Sequence, residues 1–154
     1  METVNGTITI KVPEGFRVMD KEELNSAYND VNDNRWGMTD ETRHITVSIF
    51  WHRSNPLLSV LADSRDICRS TETKLRRAMK DYGYSLDRFY TMKICGKDVF
   101  CFRHRYELRS IGYVSDVCTI KLGRDCYTLY LYSREENEAE NRRTIEDIVD
   151  SIRF

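Results

Sequence analysis

A thiol, an imidazole and two guanidinium groups stand side by side in Cys101-Phe102-Arg103-His104-Arg105, the parts from which an activated sulfur nucleophile is built. The neighbouring residues decide whether they can act together. The stretch has a strand pattern, and strand side chains three apart point to opposite faces, so Cys101 and His104 cannot meet. His104 shares its face with Phe100, Phe102 and Tyr106 and reads as a hydrogen-bonded core histidine. His44 and His52 lie on one face of another strand, too far apart to hold one metal ion directly, and no carboxylate pattern completes such a site. No glycine-rich phosphate loop, Ser-His-Asp order, HExxH or paired-carboxylate motif occurs. These residues predict neither an enzyme nor a metal or cofactor site.

Binding is the better-supported chemistry. His104, Tyr106, Tyr130 and Tyr132, with Tyr113, could line a pocket on one sheet face, with Ser115 and Thr119 giving polar contacts. The competing reading is that a helix covers this face and the tyrosines bury their rings. Trp51, Arg53, Leu57 and Leu58 stand in a proline-containing loop (residues 51–58) and suit a protein contact, since such side chains are common anchors. Arg103, Arg105, Arg109, Lys121 and Arg124 outline a basic strip, but Glu107 and Asp116 interrupt it, which predicts a solvated, partly paired face and no nucleic-acid site.

The bulk properties agree. With 154 residues, 40% apolar and 32% charged, the chain has the size and composition of one globular domain, residues 1–154, and not of a disordered segment. Its 24 basic and 25 acidic side chains give a net charge of -1 and no general pull toward nucleic acid or membrane. The five cysteines form no Cys-x-x-Cys pair and read as reduced thiols. The first residues lack the basic and apolar regions of a signal peptide, and no apolar run approaches a membrane span, so a cytoplasmic location is expected.

The elements that position these side chains follow from period and punctuation. Residues 7–12 alternate as a strand that Pro13-Glu14-Gly15 stops. Asp20 and Glu23 form a capping box for a helix ending near Tyr28. Residues 35–38 make a short strand, and in residues 43–53 Ile45, Val47, Ile49 and Trp51 share one face, opposite His44, Thr46, Ser48, Phe50 and His52. Residues 63–82 carry Ile67, Cys68, Thr71, Leu75, Ala78, Met79 and Tyr82 at helical spacing, with Gly83 as the stop. A meander follows in residues 88–94, 98–108, 113–122 and 127–133, with turns at Gly96-Lys97, Ser110-Ile111-Gly112 and Arg124-Asp125. Residues 135–151 close the chain as a helix with Ala139, Ile145, Ile148, Val149 and Ile152 as its stripe.

Both meander faces are apolar. One holds Val99, Cys101, Ile120, Leu122, Tyr127, Leu129 and Leu131; the other holds Phe100, Phe102, His104, Tyr106, Leu108, Tyr113, Val117, Tyr130 and Tyr132. An antiparallel sheet with one wet face would be polar on that side, so this one must be covered twice. The fold class is therefore α+β, a three-layer α-β-α sandwich with a central antiparallel, meander-rich sheet. The expected turns set Arg105 opposite Asp116 and set no two cysteines opposite each other.

A strand and proline-glycine-aromatic turn stand at Ile10-Lys11-Val12-Pro13-Glu14-Gly15-Phe16, a hairpin at Ile94-Cys95-Gly96-Lys97, and the chain closes on Ile148-Val149-Asp150-Ser151-Ile152-Arg153-Phe154. In these features and in the order of its elements the chain resembles the Mog/PsbP-like superfamily. The resemblance implies the same sandwich, transfers no catalytic residue, and favours a binding or scaffold role. The expected function is a non-enzymatic module contacting another protein, of unknown identity, through a sheet edge or the loop at Trp51. The alternatives are a carrier of a small apolar or aromatic ligand, and then an enzyme of unidentified class. An enclosed cavity over Tyr106 and Tyr130 would favour the carrier, and an exposed apolar patch near Trp51 the partner.

Overall fold

The structure, a computed structural model, describes residues 1–154 except for the side chain of Leu58, so that member of the expected partner loop lies outside the described residues. Its centre is a seven-stranded antiparallel sheet in the order β3-β4-β5-β9-β8-β7-β6. The strands are β3 (Arg17–Val18), β4 (Arg35–Asp40), β5 (Ile45–Arg53), β6 (Ser85–Ile94), β7 (Lys97–Leu108), β8 (Ile111–Leu122) and β9 (Asp125–Arg134). A separate hairpin, β1 (Glu2–Val4) with β2 (Ile8–Ile10), precedes them. The helices are α1 (Lys21–Tyr28), α2 (Pro56–Leu61), α3 (Ser64–Ala78) and α4 (Glu138–Ser151).

Local chemistry explains the boundaries. In the capping box of α1, Glu23 N donates to Asp20 Oδ1 at 2.9 Å and Asp20 N donates to Glu23 Oε2 at 3.0 Å. Asp63 caps α3, which stops at Ala78; a 3-10 turn (Lys80–Tyr82) carries the chain on to Gly83 at φ 64°. The residues expected to form one closing helix divide in the same way, into a 3-10 turn (Glu135–Asn137) and α4.

The sandwich is present. One sheet face packs Ile45, Val47, Val99, Ile120, Leu129 and Leu131 against Ile8 and Ile10 of β2 and Ile148 of α4. The other packs Phe102 and Val117 against Cys68 of α3. The face memberships expected for the meander are those observed, but its register differs. β7 and β8 are joined by Arg109 and Ser110, both left-handed at φ 50° and 65°, as a two-residue hairpin turn requires. Arg103 therefore faces Asp116, and Cys101 faces Cys118, correcting the expected Arg105–Asp116 pair and the absence of opposed cysteines. The shift is two residues, an even number, so every side chain keeps its face. Gly112 drew the expected turn too far along the chain. It lies in β8 instead, where an added Cβ would come 2.5 Å from Glu135 Oε2. The flanking turns likewise sit one residue earlier, at Cys95-Gly96 and Gly123-Arg124.

His44 stands in the turn before β5 at φ 55°, off the strand on which it was expected. Ala139 is exposed and outside the core stripe. A polar side chain secures that end of α4: buried Asn141 donates to Arg43 O at 2.8 Å and to Ser133 Oγ at 3.0 Å, tying helix to sheet. Asn141→Leu removes both bonds and leaves Ser133 Oγ buried without this donor, and is expected to lower unfolding free energy by about 1–3 kcal/mol in urea titrations; an unchanged midpoint would show that these bonds do not hold the layer.

Candidate functional site

Alternation along β7 separates the groups that looked catalytic. Cys101, Arg103 and Arg105 face α4, whereas Phe102 and His104 face α3. Cys101 and Cys118 are buried, and the Cys101 thiol together with burial holds Cys118 well above the ordinary thiol range. Burial also pushes the Cys68 thiol up to about 11. Cys68 and Cys118 therefore stay protonated near neutrality, the state in which sulfur is a poor nucleophile.

The expected basic strip is taken apart by pairing. Arg103 bonds both carboxylate oxygens of Asp116, at 3.0 and 3.1 Å, and reaches Glu138 at 3.2 Å. Arg105 bridges Asp87, Glu135 and Glu138. Lys121 points to the opposite face, where its ammonium donates to Ser59 O and Ala62 O. Arg124 Nε donates to Ser54 O at 3.1 Å.

The aromatic residues expected to line a pocket do share a face, and they pack on one another. His104 is fully buried between Tyr84, 5.2 Å away, and Tyr106, 5.6 Å away, in near-parallel stacks. Tyr106 stacks on Tyr113 at 5.3 Å, and Tyr130 on Tyr132 at 5.8 Å. Phe50 extends the array to Tyr28 of α1, whose hydroxyl meets Ser48 Oγ at 2.5 Å. Burial raises the Tyr130 hydroxyl to about 12. His104 is a core residue as expected, yet neither of its ring nitrogens has a hydrogen-bond partner among the described residues, and Ser115 Oγ across from it is also unpaired. Tyr28 and Tyr84 went unforeseen because one lies on a helix and the other follows a helix stop, so strand alternation does not mark them.

Clefts lie elsewhere. One, of about 700 Å³, opens between α4 and the β6–β8 half of the sheet, with Tyr90, Met92, Val114 and Ile145 as apolar lining and Arg88 and Arg142 among its charged groups. Within it the Tyr90 hydroxyl donates to Asp116 Oδ1 at 2.5 Å. A groove of about 210 Å³ lies on the other side of β6, beside α3.

The partner loop is reorganised. Trp51 is half-buried against the main core, and Arg53 is exposed beside Asp125 at 3.6 Å. Residues 56–61 are helical as α2, with Leu57, Val60 and Leu61 exposed at 70%, 83% and 70%. Ser59 Oγ, donating to Gly123 O at 3.2 Å, and Lys121 hold the opposite side of this helix to the sheet. The sequence signal for α2 was Pro56 at a first helical position followed by apolar residues three and four apart.

Buried His104 makes stability depend on pH. Desolvation lowers its pKa from 6.5 to about 4, so the folded state binds the proton less readily than the unfolded chain. Its contribution is complete above pH 6.5 and is lost as pH falls from 6.5 toward 4, by about 3 kcal/mol. His104→Phe is expected to flatten unfolding free energy over that interval; an acid slope equal to that of the parent would contradict the assignment.

No protein-family model and no curated protein sequence matches the chain. Solved structures do. The solution structure of cyanobacterial PsbP (CyanoP) from Synechocystis sp. PCC 6803 superposes with a TM-score of 0.66 at 10% identity, over 96% of this chain and 92% of that one. LpqN of Mycobacterium tuberculosis, described as involved in cell envelope biogenesis, gives 0.60 at 10% identity over 94% and 81%. A Bacteroides thetaiotaomicron protein gives 0.62 at 10% identity, over 98% of this chain but 46% of its own length. At that identity the likeness is one of architecture, and it agrees with the resemblance carried by the proline-glycine turn and the closing helix: the chain has the PsbP-like α-β-α fold.

Proposed function

We propose that this chain is a non-enzymatic protein-binding module that docks a partner on α2. The observation that carries this reading is the run Leu57, Val60, Leu61, three large apolar side chains at one helical face and each at least 70% exposed. Helical surfaces normally turn such a stripe to a core. Here the polar side is anchored instead, through Ser59 and Lys121, which leaves the apolar side outward. Exposed apolar groups clustered on an anchored element mark a contact surface. The arrangement also moves the expected anchor from Trp51, which supports the core, to the helix just after it. The state of the buried thiols supports a non-catalytic role, because burial raises Cys68 and the Cys101 thiol together with burial raises Cys118, which withholds the nucleophilic thiolate.

A photo-crosslinking phenylalanine analogue placed at Val60 in the source cell is expected to give a discrete protein adduct. Leu57→Asp with Leu61→Asp should abolish that adduct while changing unfolding free energy by less than about 0.5 kcal/mol per exposed site. Lack of any adduct, or one indifferent to the double substitution, would overturn the reading.

A further inference from the structure

The sheet has one long free edge. β3, at one side, is two residues long, whereas β6, at the other, spans Ser85–Ile94 and pairs only with β7. α3 packs chiefly on β7 and β8, and α4 on β9 and β2, so β6 is less closely covered by either helix. An edge strand exposes a row of unpaired N–H and C=O groups, and natural sheets defend such rows with bulges and charges. β6 has both, but only toward its ends. A register break between Leu86 and Arg88, with Asp87 held by Arg105, guards the start. Lys93, paired with Asp98 at 2.7 Å, guards the finish. Between them runs Phe89-Tyr90-Thr91-Met92, four uncharged residues of strand-forming type in unbroken register with β7. Phe89 is 44% exposed.

The two clefts flank this segment on opposite faces. Tyr90 and Met92 line the cleft of about 700 Å³ beside α4, and Phe89 and Thr91 line the groove of about 210 Å³ beside α3. A strand laid along β6 would send alternate side chains into the two spaces, because strand side chains alternate between faces. The spaces differ in charge. The α3 groove contains Arg65 and Arg69, one helical turn apart, and no carboxylate; Arg65 lies over the Phe100 ring at 4.9 Å. The α4 cleft offers Tyr90, Met92, Ile145 and Val149 as apolar lining, and its charges are of both signs.

We infer that the Phe89–Met92 edge is a site for β-strand addition by an extended segment of a partner protein, in which acidic side chains alternate with large apolar ones. Main-chain hydrogen bonds to β6 supply register-independent affinity, and the alternate pockets supply selectivity. The acidic side chains meet Arg65 and Arg69 across the α3 groove; the apolar ones enter the α4 cleft. A second copy of this chain fits less well, since its own β6 would bring Arg88 and Lys93, and its one carboxylate, Asp87, is already held by Arg105. The inference rests on the protein-binding reading but uses a surface separate from α2.

The test uses the full chain with a fluorescein-labelled Glu-Leu-Glu-Leu-Glu-Leu peptide and its Lys-for-Glu counterpart. Anisotropy is expected to show the acidic peptide binding more tightly than the basic one, with slowed amide exchange in residues 89–92. Arg65→Glu with Arg69→Glu should weaken the acidic peptide by about tenfold or more and strengthen the basic one, with thermal unfolding unchanged because both residues are exposed. Equal binding of the two peptides, absence of binding, peptide-induced changes confined to α2, or protection of 89–92 that depends only on protein concentration would each overturn the inference. Changes confined to α2 would leave the proposed function standing and remove only this surface; loss of the Val60 adduct would do the reverse.

Discussion

A sheet that is dry on both faces must be covered twice, and most of this structure follows from that requirement. Strands β7, β8 and β9 bury apolar side chains in both directions: Val99, Ile120 and Leu129 toward α4 and the β1–β2 hairpin, Phe102 and Val117 toward α3. Neither layer can be lost without exposing one of those rows. The requirement also sets what the central residues can do. A side chain on β7 or β8 is committed to packing by its position, which is why a thiol, an imidazole and two arginines adjacent in sequence end as two separate structural groups. Burial keeps the His104 imidazole neutral, and Asp116 with the acidic start of α4 compensates the arginines.

The sheet faces were legible in the sequence because their period is short and the shift in register was even. A turn displaced by one residue would have exchanged the faces; the β7–β8 turn changed the pairing by two and exchanged nothing. The pairing itself was less legible. Arg109 and Ser110 adopt left-handed backbone although neither is glycine, and Gly112, the stronger turn signal, is needed for the close approach of Glu135. Caps were readable in the same local way, as Asp20 with Glu23 shows. The β1–β2 hairpin and α2 were not foreseen. The hairpin depends on the carboxyl-terminal backbone, since Thr9 and Arg153 exchange hydrogen bonds at 2.8 and 3.0 Å. α2 depends on Lys121 and Gly123 from a distant hairpin. Neither of these long-range bonds has a local sequence signature, although Pro56 and the apolar spacing after it mark the start of α2 itself.

The candidate surfaces lie where the double cover ends. Trp51 looked like an anchor because it is large and stands near a proline, but as the last inward residue of β5 it is claimed by the core. The apolar side chains left over are on α2, one element later. Likewise the aromatic residues expected to line a pocket stack on one another and on others: Tyr106 on Tyr113, Tyr130 on Tyr132, and Phe50 against Tyr28 and Tyr130. Open space formed at β6 instead, where each helix borders the strand without packing closely along it. A sheet one strand wider than its helical cover leaves grooves on both sides of its last strand, and those grooves differ in charge because α3 contributes Arg65 and Arg69 while α4 contributes Arg142, Glu146 and Asp150.

Native-state amide hydrogen exchange followed residue by residue tests this picture most directly, because it reads cover and edge together. Amides of β8 and β9 should exchange only through global unfolding, with free energies equal to that from denaturant titration. Those β6 amides that point away from β7 should exchange orders of magnitude faster, in a strand whose inward amides remain protected. Uniform protection across β6 equal to that of β8 would mean that the edge is already covered, and sub-global exchange in β8 would mean that the sheet is not covered on both faces; either result contradicts the account.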